Sequence, residues 1–160
     1  MPFTNMHLYF DDVEVGQEFI SNGRTVTEAD VVNFAGVSGD YNPIHTDHEF
    51  AKTTPFRKPV AHGLLIWAIS SGLGTYSPPM RTQAFMGIRD WQFKSAVYIG
   101  DTIRLCSKVL EKVERSRGRR GMITWHRRII NQEDKVVQEG YTLTLVEGRG
   151  TGKSDKKSEA

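Results

Sequence analysis

The chain has 160 residues, 38% of them hydrophobic, with 21 Lys and Arg against 19 Asp and Glu, and one cysteine. That length suits one compact domain with a real core. A lone Cys106 rules out an internal disulfide framework or a Cys-rich zinc site and fits a reducing compartment, which points to the cytoplasm. A net charge of +2 argues against a general nucleic-acid binder and against an acidic, disordered chain. The charge is unevenly spread: residues 1–80 carry 4 basic and 9 acidic side chains, residues 81–147 carry 13 and 8.

In chain order, Met1–Leu8 lacks the basic region and long apolar run of a signal peptide. A short strand is expected around Glu18–Ser21. Thr27-Glu-Ala-Asp30 is a helix-start pattern, a hydroxyl cap answered by a carboxylate three residues on. Val31, Phe34, Ala35 and Ser38 continue at helical spacing to Gly39. A turn follows at Gly39–Pro43, then a short helical piece near Asp47–Lys52. Val60–Leu73 is apolar nearly all round, as expected of a helix inside a core; it is too short and too rich in flanking Pro and Gly to span a membrane. Gly72, Gly74 and Pro78-Pro79 end it.

Beyond Gln83 the period changes to two. Strands are expected at Phe85–Val97, around Ile103–Val113, at Gly121–Asn131 and at Lys135–Val146. In the second of these, Ile103, Leu105, Val109 and Val113 share one face. Polar turns lie at Arg115–Arg120 and Asn131–Asp134. The architecture is therefore α+β, an antiparallel sheet curled around one apolar helix. It forms a single domain over residues 1–147, and residues 148–160 form a polar, disordered tail.

Chemistry concentrates in Phe34–Ala51. After Gly39 a Pro-fixed turn holds Asp40, Asn42 and His45 within six residues. A carboxylate and an imidazole across such a turn can share one water and move its proton in either direction near neutral pH. The same residues also read as an ordinary Asx-Pro turn. Pro59-Val-Ala-His62-Gly63 opens the apolar helix, where the Gly63 N–H is a natural donor to a carbonyl oxygen gaining charge. Close packing is the competing reason for that glycine. His7, His48, His62 and His126 show no metal-ligand spacing, and no metal is expected.

Phe34, Val37, Ser38, Gly39, Asp40, Asn42, Pro43, Ile44, His45 and Ala51, with His62-Gly63 downstream, resemble the hydratase motif of the MaoC-like dehydratases, which include the (R)-specific enoyl-CoA hydratases. The resemblance covers roughly residues 10–147. It implies a hot-dog fold and a homodimer or higher homo-oligomer, a heterodimer being compatible. It also implies reversible hydration of a trans-2-enoyl-CoA to the (3R)-hydroxyacyl-CoA. Coenzyme A is then part of the substrate, and no separate cofactor, nucleic acid or membrane is involved.

In that scheme Asp40 and His45 hold the water and Gly63 polarises the thioester carbonyl. Asn42, Ser71 and His62 support the site. Arg57, Lys58, Arg89, Lys94 and the Arg115–Arg120 turn are candidates for the CoA phosphates; Trp67, Trp91, Tyr76 and Met80 are candidates for the acyl pocket. The same fold also serves acyl-CoA thioesterases, against which the Asp-Tyr-Asn-Pro-Ile-His sequence argues. A non-catalytic acyl-binding subunit of a heteromeric dehydratase is a further reading, disfavoured by the presence of both Asp40 and His45.

Overall fold

A computed structural model describes residues 7–150. Four long strands, β3 (Thr82–Phe93), β4 (Thr102–Arg115), β5 (Arg120–Ile130) and β6 (Val136–Glu147), carry the molecule. With β1 (Glu18–Ile20) they form an antiparallel sheet in the order β1-β4-β5-β6-β3, and β2 (Arg24–Thr25) pairs with the start of β4. Their sequences alternate as half-buried strands do. On β5, Ile123, Trp125 and Ile129 point inward and are 0–1% exposed, while Met122, His126 and Arg128 point outward.

The central helix α4 (Gly63–Gly74) lies on the concave face. Leu65, Ile66 and Ile69 pack against Ile103, Leu105, Ile129 and Val137 of the sheet and Val26 and Val31 of the N-terminal region. A second apolar cluster sits further along the same face, where Phe10 and Val13 cover Val109, Ile123, Trp125 and Val146. A curled antiparallel sheet around a central helix is the hot-dog arrangement. No helix of the described residues is long and apolar enough to cross a membrane.

Several elements depart from the sequence reading for identifiable reasons. Val60 and Ala61 are extended, bridging Tyr98 and Val97, so α4 starts at Gly63 with His62 as its N-cap. The helix is not enclosed on most sides within one chain: Leu64 is 64% exposed, and Ala68, Ser71 and Gly72 are exposed on the same flank. β3 ends at Phe93 rather than Val97, because Lys94 and Ser95 both donate to the Val137 carbonyl and the chain then turns to meet Ala61.

Val113 is not on the core face. A bulge between Val109 and Glu111 inserts one residue and reverses the alternation, setting Lys112 opposite the buried Ile123 and Val113 opposite Met122. Lys112 is accommodated by donating to the Val13 carbonyl and lying over the Phe10 ring. At the C-terminal end, residues 148–150 are held, with Gly148 and Gly150 bonded to the Arg119 and Gly118 carbonyls and Arg149 paired with Asp12. The rest of the expected tail lies outside the described residues.

Candidate active site

Three short helices deliver the loop that holds Asp40 and His45. α1 (Glu28–Ser38) starts in the expected capping box: the Asp30 N–H donates to Thr27 Oγ1, and the Thr27 N–H to Asp30 Oδ2. It ends at Gly39, whose φ of +75° is a left-handed conformation that glycine adopts without strain. Asp40 follows, its N–H donated to Ser38 Oγ. One Asp40 oxygen accepts the Asn42 N–H at 3.2 Å; the other has no partner among the described residues. Asn42 then caps α2 (Pro43–Thr46), accepting the Ile44 N–H. His45 therefore rides on a helical turn, not on an open loop. Asp47 caps α3 (His48–Thr53) and fixes the far side.

His45 Nδ1 lies 2.6 Å from the Val60 carbonyl. A carbonyl only accepts, so Nδ1 carries the hydrogen and Nε2 is left with a bare lone pair. Burial is the main force holding the His45 pKa below its ordinary value, and the neighbouring His62 adds to it. The His62 ring is stacked on that of His45, with centroids 3.8 Å apart and planes 28° from parallel. His62 is 2% exposed, with the Phe34 ring tilted against it at 5.0 Å. Its Nε2–H donates to the Asp40 backbone carbonyl at 2.9 Å, while its Nδ1 is buried without a partner. Imidazole nitrogens of His45 and His62 and a carboxylate oxygen of Asp40 all lie within 4.8 Å of one another.

That cluster of three is invisible in the linear spacing, which gave no hint of a metal-ligand set. Two of its nitrogens are committed as donors, His45 Nδ1 to the Val60 carbonyl and His62 Nε2 to the Asp40 carbonyl, which leaves His45 Nε2 and His62 Nδ1 as the acceptors.

The helix start adds a donor. Gly63 is the first residue of α4, and its N–H has no acceptor among the described residues. Its carbonyl is pinned by Gln138 Nε2 at 2.9 Å, and Gln138 Oε1 in turn accepts from Trp91 Nε1 at 3.0 Å. Packing also constrains this glycine, since a Cβ on Gly63 would stand 2.7 Å from the Phe93 ring. Both readings of Gly63 therefore have a physical basis.

Other expected site residues lie at varying distances. Ser71 is on α4, about 12 Å along the axis from Gly63, and lines a cavity with Trp67, Trp91 and Met80. Tyr76 is 80% exposed and lines a separate groove. Arg57 and Lys58 stay beside the site loop, Arg57 on the Lys52 carbonyl and Lys58 over the Tyr98 ring. Arg89 and Lys94 are not brought to His45 and Gly63. Arg89 lies over Tyr141 and Lys94 pairs with Glu139, both on the outer face of the sheet. The Arg115–Arg120 turn is at the opposite end of the sheet, about 30 Å along β5 from the Gly63 level.

Sequence reasoning passed over Gln138, buried on β6 and bracing the helix start, and Arg127 on β5. Both are polar residues standing where strand alternation expects apolar ones, and that was the available signal.

Comparison with known proteins identifies the family. The MaoC-like domain family model matches residues 12–128. An (R)-specific enoyl-CoA hydratase of Rhodospirillum rubrum is 36% identical over 143 residues, which is 89% of this chain and 94% of that protein. A 3-hydroxybutyryl-CoA dehydratase of Methylorubrum extorquens is 36% identical over 140 residues, 87% of this chain and 84% of that protein. The crystal structure of a MaoC-like dehydratase from Rhodospirillum rubrum superposes with a TM-score of 0.78 at 29% identity, covering 89% of this chain and 98% of that one. With a curled sheet around a central helix and a match of this extent, the chain belongs to the MaoC-like domain family.

Proposed function

We propose that this hydro-lyase adds water reversibly across the C2=C3 bond of a trans-2-enoyl-CoA, giving the (3R)-hydroxyacyl-CoA. One observation carries the reading: an Asp40 carboxylate oxygen and a His45 nitrogen lie within 4.8 Å, with His45 Nδ1 tied to a carbonyl. A single water making hydrogen bonds of about 2.8 Å to both groups spans that gap. The bare Nε2 of His45 takes one proton from the water as its oxygen bonds to C3. Asp40 accepts the water's other hydrogen and orients it. The C2=C3 electron pair moves toward the thioester, and the charge gathers on the carbonyl oxygen beside the Gly63 N–H. The proton then returns from the Asp40–His45 pair to C2, on the face from which the water came. The R configuration rests on the named specificity of the relatives. Arg57 and Lys58, beside the site loop, are candidates for the CoA phosphates.

The working unit in this reading is a homodimer joined along β3. β3 pairs with β6 on one side only, and Phe85, Met86, Ile88 and Phe93 on it are 49–55% exposed. A twelve-residue edge carrying four exposed large apolar side chains is a pairing surface, and α4 adjoins it through Trp67 on Phe85.

The test is loss of conjugated-thioester absorbance with short- and medium-chain enoyl-CoAs. Turnover is expected, with kcat reduced about 100-fold or more in Asp40→Asn and His45→Ala. No turnover at any chain length, or unchanged rates in both variants, overturns the hydratase; release of free CoA marks a thioesterase instead.

A further inference from the structure

Between the C-terminal half of α4 and the sheet lies a cavity of about 280 Å3. Trp67, Ser71 and Gly74 line it from the helix, and Arg127, Thr142 and Thr144 from β5 and β6. Asp40, His45 and Gly63 do not line it. Arg127 occupies the inward row of β5, between Trp125 and Ile129, so its guanidinium is drawn beneath the helix. There Nε donates to Thr142 Oγ1 at 3.2 Å and Nη1 to Ser107 Oγ, and the group lies over the Trp125 ring at 4.7 Å.

Each of these partners is neutral. Among the described residues no carboxylate lies within 4.0 Å of Arg127. Burial pushes its pKa down to about 10, which still leaves it protonated at neutral pH. An enclosed charge without a counter-ion is costly unless something supplies one.

The Trp67 ring also lines the cavity, and its Nε1 is a buried donor with no acceptor. Guanidinium and indole are both donor-only, so they are satisfied by an acceptor and never by a donor. Gly74 lets the helix close over the guanidinium: a Cβ there would stand 3.1 Å from Leu105 and 3.5 Å from Arg127 Nη1. Trp67 lies about one turn along α4 from Gly63 and Ser71 about two. An acyl chain whose carbonyl meets the Gly63 N–H and which runs along the helix therefore arrives here.

We propose that Arg127 and Trp67 form a carboxylate-recognition subsite at the end of the acyl pocket, so that the substrate is the CoA monothioester of an unsaturated dicarboxylic acid. The inference rests on the hydratase reading for the thioester; the carboxylate comes from the cavity. Arg127 supplies a planar fork matched to two carboxylate oxygens, Trp67 a further donor, and Thr142 positions the guanidinium.

Binding of saturated, unreactive thioesters tests it without any turnover. Calorimetry on the full chain compares glutaryl- and adipoyl-CoA with pentanoyl- and hexanoyl-CoA. The carboxylated ligands are expected to bind about tenfold or more tightly than uncharged ones of equal length. That ratio collapses toward one or inverts in Arg127→Met, is intermediate in Arg127→Lys and falls several-fold in Trp67→Phe. Equal or weaker binding of the carboxylated ligands by the wild type overturns the subsite, as does a ratio unchanged in Trp67→Phe and in whichever Arg127 variants fold. If enoyl-CoAs are not turned over while the binding ratio behaves as expected, the hydratase reading fails and the anion subsite stands.

Discussion

At the residue scale the site turns on which nitrogen of His45 is bare. The Val60 carbonyl fixes the hydrogen on Nδ1, and burial keeps the ring neutral. A His whose folded pKa lies below its unfolded value of about 6.5 binds fewer protons in the native state. Its neutral form is fully retained above that pH. As pH falls below about 6.5 toward the lowered native value, folding stability declines, and activity declines with it once His45 itself takes up a proton. The acidic limb of log(kcat/KM) against pH is therefore expected below 6.5. His62 enters here as a positioning residue, through its ring on His45 and its Nε2–H on the Asp40 carbonyl. His62→Leu removes both effects. Its expected signature is roughly tenfold lower kcat together with an acidic limb moved to higher pH. A purely structural His62 would lower Tm and leave the limb in place.

At the element scale α4 is given two jobs by the proposal, presenting the Gly63 N–H and covering the cavity lined by Trp67 and Arg127. Gly63→Ala separates the packing role of this glycine from the donor role. The added methyl would meet Phe93 at 2.7 Å, at a cost of about 1–3 kcal/mol. Gly63→Ala/Phe93→Leu is expected to recover Tm. If kcat remains low in the recovered double variant, the methyl obstructs the donor; if kcat recovers too, the glycine serves packing alone. The elements themselves were largely legible. The Thr27–Asp30 cap, the Gly39 stop and the period-two strands are local signals, and the fold follows them. What the sequence hid was non-local. One inserted residue at the Leu110 bulge moves Val113 off the core face, and no local pattern announces it. The His45–His62 stack joins residues far apart in the chain. Arg127 escapes a reading of the strand alone because its demand for an anion exists only once α4 closes over it.

At the scale of the whole molecule the charge asymmetry acquires a geometry. The acidic half carries the Asp40–His45 loop; the basic Arg115–Arg120 turn sits at the opposite end of the same sheet, out of reach of that loop in this chain. Antiparallel pairing of two β3 edges about a twofold axis reverses one sheet against the other. It brings the partner's basic turn toward the Gly63 end of this chain, where the CoA phosphates are expected. Two consequences belong together. Met86→Glu with Ile88→Glu places four like charges at the proposed seam, two from each copy. A dimer by light scattering should become a monomer at micromolar concentration, with most activity lost although Asp40, His45 and Gly63 are untouched. Reversing Arg117, Arg119 and Arg120 to Glu should leave the dimer intact and raise KM for the CoA thioester several-fold at low salt, less at high salt, since exposed charges are screened within about 10 Å at 0.1 M. A wild-type chain that is monomeric yet fully active removes the β3 seam from the mechanism. A dimer whose KM ignores the charge reversal confines the asymmetry to solubility.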